Sequence, residues 1–170
     1  MRSDELRALQ GPLKQKYRDQ PEAAVVTLVA RSRIGAGISC NVETGRALAR
    51  AGLHPATGGD GLSACSGDML LEALVACAGV TLRAVATAIG VDLRDARVSA
   101  EGDLDFRGTL AVDKDVPVGF TRIRLHFELD CDAGEEQIAT LLKLTERYCV
   151  VYQTLAHAPQ IPITHSVGAG

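Results

Sequence analysis

Apolar positions are densest between Asp68 and Ile89, where the chain reads DMLLEALVACAGVTLRAVATAI. The stretch has no proline and is rich in Ala and Leu, which predicts a helix. At 1.5 Å per residue it spans about 33 Å, enough to cross a small domain. Leu70, Ala73, Cys77, Thr81 and Ala84 share one uncharged stripe, with Asp68, Glu72 and Arg83 on the far side. A helix this apolar is expected to be buried on most of its circumference. Gly90 is the expected stop, and Ser66 or Asp68 the expected cap.

Around it the pattern changes period. Residues 3–18 predict a helix charged on most sides, broken at Gly11-Pro12, within a loosely packed N-terminal extension over residues 1–20. Ala24–Ser32 predicts a strand, and residues 34–37 a turn into a second strand, on which Ile38, Cys40 and Val42 alternate with polar residues. The segment from His54 to Asp68, HPATGGDGLSACSGD, predicts a loop leading into the apolar helix. Beyond Gly90, Val98, Ala100, Leu104 and Phe106 face one way, and Arg97, Ser99, Asp103 and Asp105 the other. Ile123, Leu125, Phe127, Leu129 and Cys131 then alternate with charged residues and with His126, which predicts an antiparallel pair with one wet face. Asp132 is placed to cap a helix whose apolar positions run from Ile138 to Cys149. A short helix or turn over 150–156 and a last edge strand in the tail IPITHSVG complete the order. Strands do not alternate singly with helices, so the class is α+β with a mainly antiparallel sheet, in one domain over residues 21–170.

Composition narrows the function. The chain has 170 residues, a net charge of −3, no tryptophan and few aromatics. That argues against a nucleic-acid surface and against base-stacking platforms. Glu72 and Arg83 inside the apolar stretch argue against a membrane span. The first ten residues, MRSDELRALQ, lack an apolar signal region, so a reducing cytoplasmic setting is expected.

There are five cysteines, at positions 40, 65, 77, 131 and 149, without a Cys-x-x-Cys spacing. An odd number without paired spacing fits neither a disulfide scaffold nor a zinc ribbon. Cys77 sits mid-helix in the apolar centre, and Cys149 at the end of the other substantial helix. If these helices pack together, the two sulfurs meet. The bland alternative is that Cys77 is core filling, since cysteine is among the most buried residue types. Thr81, one turn beyond Cys77, is expected to bond back onto its own helix. His54 and Cys65 flank the glycine loop, but with Cys77 they have no metal-ligand spacing and no fourth ligand, so neither a metal nor another cofactor is expected. Cys65 also stands as an alternative partner thiol.

The segments Gly67–Ala86, preceded by HPATGG, and LLKLTERYCVVYQTL over 141–155 resemble the two cysteine segments of the OsmC/Ohr family, the osmotically inducible and organic hydroperoxide resistance proteins. RGTLAVDKDVPVGFTRIRLHFEL resembles the hairpin between them, and the likeness runs from about Leu13 to Val167. The resemblance implies an OsmC-like fold: an intertwined homodimer with two long central helices wrapped by curved six-stranded sheets. It implies a thiol-dependent peroxidase acting on organic, and also inorganic, hydroperoxides in oxidative-stress defence. Cys77 would become a sulfenic acid, Cys149 would close a disulfide with it, and an external dithiol would restore both. By the same resemblance an arginine of the first hairpin activates the thiolate, matched here by Arg33, with Arg31 beside it. The family's acidic partner falls at Gly67, so Asp68, one place later, takes that role, with Glu72 as rival. The family's Cys-Pro is replaced by Cys149-Val150. These departures point to a less studied branch and keep open a non-catalytic dimer that binds an apolar small molecule.

Overall fold

The computed structural model describes residues 3–34, 40–42, 51–59, 61 and 64–167. Helix α1 (Ser3–Asp19) runs through Gly11-Pro12 without a break. An interior proline costs a helix about 3 kcal/mol, and here tertiary anchors hold it in place. Tyr17 is buried with Ala24, Phe106 and Leu110, and its hydroxyl donates to the Ala56 carbonyl at 2.6 Å. Gln10 donates to the Thr57 carbonyl at 3.3 Å. The expected loose extension is therefore docked against the body of the protein.

A single 3-10 turn (Pro21–Ala24) leads into β1 (Val25–Ile34). Strands β2 (Cys40–Val42), β5 (Leu93–Asp105) and β6 (Phe120–Cys131) join it in an antiparallel sheet ordered β2-β1-β5-β6. The expected turn at 34–37 and the start of the second strand at Ile38 fall on residues outside the described ones, but Ile34 pairs with Cys40 as a hairpin requires. Two short strands, β3 (Ala51–Gly52) and β4 (Ala64–Cys65), pair in parallel across the glycine loop. Among the described residues the main sheet thus has four strands, where the resemblance implied six.

The sheet packs on α2 (Ser66–Ile89). Leu71, Leu74, Val75, Ala78 and Leu82 are buried against β1 and β5, each of the larger ones stabilising the fold by roughly 1.5–3 kcal/mol. Gly90 stops the helix in the left-handed region, φ 73°, where a side chain would be strained. The N-terminus differs from expectation. Cys65 holds the cap position without a side-chain bond, and Ser66 and Asp68 both lie within the first turn. Along β5 the alternation holds until its end. Asp105 is buried there, where it accepts the Arg107 N–H at 3.0 Å and so caps the one-turn helix α3 (Phe106–Thr109). His126 is exposed on β6, as its polar row required.

Helices α4 (Glu135–Tyr148) and α5 (Val150–Ala156) pack across α2. Gly134, not Asp132, caps α4, because Asp132 is drawn to Arg94. Residues 157–167 form no strand, and Ile161, Ile163 and Val167 stand exposed. Pro159 and Pro162 break the run of amide donors that an edge strand would need.

Candidate active site

Cys77 and Cys149 are brought together by α2 on one side and the α4–α5 junction on the other. Cys149 is at once the C-cap of α4 and the N-cap of α5, in extended conformation at φ −72°, ψ 107°. Its N–H donates to the Thr145 carbonyl and its own carbonyl accepts from Gln153, both at 2.9 Å. A junction of this kind leaves the first amides of the second helix without intrahelical acceptors. Sulfur takes one of them. The Tyr152 N–H donates to Cys149 Sγ at 3.5 Å, and the Val151 and Val150 amides favour the charged form of Cys77. The Thr81 hydroxyl, one turn along α2, and the Cys149 thiol favour the same charged form. Glu146 locks the junction: it accepts from the Tyr152 hydroxyl at 2.9 Å, and its carbonyl accepts from the Gln153 amide group at 2.9 Å.

These contacts split the two acidities. Burial pushes the Cys77 thiol up, but the Val151 amide, the Cys149 thiol, the Thr81 hydroxyl and the Val150 amide together outweigh it and hold it below its ordinary value. Cys149 is only 1% exposed and is pushed up to about 11. Burial is the main cause, and the neighbouring Cys77 sulfur adds to it by its hydrogen bond and its charge. Of the two, Cys77 is thus the more readily ionised and Cys149 the one that keeps its proton. Both are free thiols in this structure, as are Cys65 and Cys131.

Other residues singled out by the sequence stand elsewhere. Arg33 is exposed on β1 and forms a bidentate ion pair with Asp95 of β5, Nε lying 2.9 Å from Oδ2; it is not among the groups acting on Cys77. The Arg31 side chain lies outside the described residues. Asp68 occupies the first turn of α2, nine positions before Cys77 and so about 13 Å away along the axis. Burial raises its carboxyl and the charge of His54 opposes that rise. His54 itself stacks on Phe106, ring centroids 5.0 Å apart. Among the described residues no group of three or more His, Cys, Asp and Glu side chains is arranged to hold a metal. Thr81 departs from expectation, since its hydroxyl serves Cys77. The backbone donors at 150 and 151 had no signal in residue type at all; the only hint was the absence of proline after Cys149.

A cleft of about 590 Å³ opens between β6, α2 and the α4–α5 pair. Leu74, Phe120, Leu125 and Leu142 give it apolar walls, Cys149 belongs to the wall, and Arg122 and Glu146 bring charge to it. Gly102 on β5 leaves the space that the Phe120 ring fills; a Cβ there would lie 2.3 Å from the ring. Cys77 is not part of this cleft. It lies on the stripe predicted for α2, where Leu70 and Ala73 are exposed and Cys77, Thr81 and Ala84 half-buried.

The protein-family model described as OsmC-like protein matches residues 58–164, more than half of the chain. A search of the curated proteins found no match. Among solved structures, the chain is similar to an OsmC-like hydroperoxide resistance protein from Jannaschia sp. CCS1. The two are 16% identical, with a TM-score of 0.65 over 86% of this chain and 97% of that one, a likeness of fold.

Proposed function

The chain belongs to the OsmC-like family, and from that premise we propose that it is a thiol-dependent peroxidase that reduces organic hydroperoxides. The observation that carries this reading is the contact between two thiols of opposed acidity, Cys77 held low and Cys149 pushed up to about 11. In the first step the Cys77 thiolate attacks the terminal peroxide oxygen. The O–O bond breaks, Cys77 becomes a sulfenic acid, and the alkoxide takes a proton and leaves as alcohol. In the second step the Cys149 sulfur attacks the sulfenic sulfur, and hydroxide leaves with the Cys149 proton as water. A disulfide remains. An external dithiol then reduces it and is itself oxidised to its disulfide. Such chemistry needs reduced thiols, which supports a cytoplasmic setting, and the open stripe of α2 fits a homodimer in which a second copy covers it.

Turnover of cumene hydroperoxide with a dithiol, followed by loss of peroxide, tests the reading. Cys77→Ser is expected to abolish turnover, and Cys149→Ser to permit a single oxidation at Cys77 without cycling. Unchanged turnover in Cys77→Ser overturns it. The apolar cleft favours a second reading, a non-catalytic binder of an apolar small molecule. The two part on the pH dependence of alkylation: the enzyme requires a Cys77 thiolate that titrates below the usual value of about 8.5, the binder does not.

A further inference from the structure

We propose that Glu146 and Tyr152 are positioning residues for the thiol pair: together they seat the first turn of α5 on α4, and so hold in place both the amides beside Cys77 and the Cys149 sulfur. The inference rests on the peroxidase reading above for what the two sulfurs do, and it adds the groups that place them. Helix α5 has seven residues, well short of the roughly 12–15 at which a helix begins to stand alone. No residue of α5 is fully buried, and residues 158–167 have no regular structure to anchor its far end. Val150 does not fix its own φ, as a proline at that position would. The first turn of α5 therefore depends on ties to its neighbour. Among the described residues, the side chains of α5 make two hydrogen bonds to another element, and both end on Glu146. The Tyr152 hydroxyl donates to Glu146 Oε1 and the Gln153 amide group to the Glu146 carbonyl, each at 2.9 Å.

Tyr152 joins the two ends of this arrangement. Its hydroxyl is fixed by Glu146, while its N–H donates to Cys149 Sγ at 3.5 Å. One residue thus ties an exposed carboxylate to a buried sulfur. The Val150 and Val151 amides, which favour a Cys77 thiolate, belong to the same turn, so release of the tie loosens both sulfurs' surroundings at once. A hydrogen bond weakens steeply as donor and acceptor drift out of line, and a small loosening is felt at Cys77. Disulfide closure within one molecule depends on how well the two sulfurs are held in reach of each other, so the same loosening is felt at Cys149. The groups acting on Cys77 are the Val151 and Val150 amides, the Cys149 thiol and the Thr81 hydroxyl; no charged side chain is among them, Glu146 included. Glu146 therefore reaches Cys77 through the backbone of α5 and not through its own charge.

The test alkylates the reduced, full-length protein with iodoacetamide across a range of pH and follows Cys77 by peptide mass mapping. Glu146 is exposed and Tyr152 half-buried, so substitution at either carries little risk to the fold, which circular dichroism checks. Glu146→Ala removes a charge and an acceptor together, and the two losses act with opposite sign. Removing a negative charge favours a thiolate and lowers the midpoint pH, whereas releasing α5 raises it. The midpoint is expected to rise in Glu146→Ala and in Tyr152→Phe, enough to cut reactivity at neutral pH about threefold. Glu146→Gln keeps a carbonyl oxygen for the Tyr152 hydroxyl and is expected to show no rise. Tyr152→Phe added to Glu146→Ala is expected to change nothing further, because both remove one bond. A midpoint that stays or falls in either single variant, or that rises in Glu146→Gln as far as in Glu146→Ala, overturns the inference and leaves the peroxidase reading standing. A second measurement oxidises the same proteins with hydrogen peroxide and follows disulfide closure by rapid quenching and mass spectrometry. Closure is expected to be about threefold slower in Glu146→Ala and Tyr152→Phe and unchanged in Glu146→Gln. Equal rates in all of them overturn the role at Cys149. If the original protein forms no Cys77–Cys149 disulfide, the peroxidase reading falls, and the alkylation midpoints alone decide the positioning role.

Discussion

At the scale of single residues, amides stand beside Cys77 within the single chain where the resemblance implied a guanidinium. Arg33 is committed to Asp95, and the groups that favour a thiolate at Cys77 are the Val151 and Val150 N–H groups, the Cys149 thiol and the Thr81 hydroxyl. Val150→Pro isolates one of these donors. Val150 is 70% exposed and occupies the first position of α5, where proline is well tolerated, so the fold is expected to survive. The lost N–H favoured the charged form, so its removal moves the Cys77 titration upward. The midpoint pH for iodoacetamide alkylation is expected to rise by up to about one, and reactivity at neutral pH to fall accordingly. Arg33→Ala is expected to leave that midpoint where it is. Both cysteines were legible in the sequence, because an uncharged stripe and a helix end marked their positions. Their activating donors were not, because a backbone amide carries no trace in residue type. Thr81 was visible at four positions from Cys77, but its hydroxyl had two acceptors within reach, its own helix and the sulfur, and only packing decides between them.

At the scale of elements, long periodic segments were read well and their ends poorly. Helix α2, strands β5 and β6, and helix α4 follow from apolar periodicities that span many residues. The expected break at Pro12 and cap at Asp132 were local rules overruled by distant partners, Ala56 and Thr57 holding α1 and Arg94 taking Asp132, while the expected tail strand finds no pairing partner among the described residues. Helix α1 carries a test of this balance. If tertiary anchors hold a proline in mid-helix, Pro12→Ala is expected to stabilise the protein by about 1–2 kcal/mol, because the helix regains a hydrogen bond and loses a steric clash. Tyr17→Phe is expected to destabilise it by about 1 kcal/mol, since the Ala56 carbonyl loses its 2.6 Å partner. Urea unfolding followed by circular dichroism measures both.

At the scale of the whole molecule, family resemblance supplied what periodicity could not, a sheet wrapped on a long apolar helix, though among the described residues that sheet has four strands and not six. What a single chain leaves open is the stripe of α2 from Leu70 to Ala84, apolar, uncharged and only partly covered. Contiguous apolar surface of this kind marks an interaction site. If a second copy covers it, Ala73→Glu, which sets a charge on an exposed stripe position, is expected to weaken self-association at least about tenfold in sedimentation equilibrium, with helix content unchanged. The same face holds Cys77, so on the proposed reading association and peroxide access share one surface. The locked junction at Cys149 bears on the fate of an oxidised molecule. Glu146 fastens α4 to α5 through Tyr152 and Gln153, and Cys77 and Cys149 are near enough for each to shift the other's acidity. In the peroxidase reading proposed above, closing the bridge takes little more than side-chain torsions, without unwinding of a helix, and the lifetime of the first oxidised species is then set by rotamer motion instead of segmental rearrangement. On that reading a second peroxide has to win a race against that rotation, so Cys77 is expected to resist irreversible damage even in a flood of oxidant.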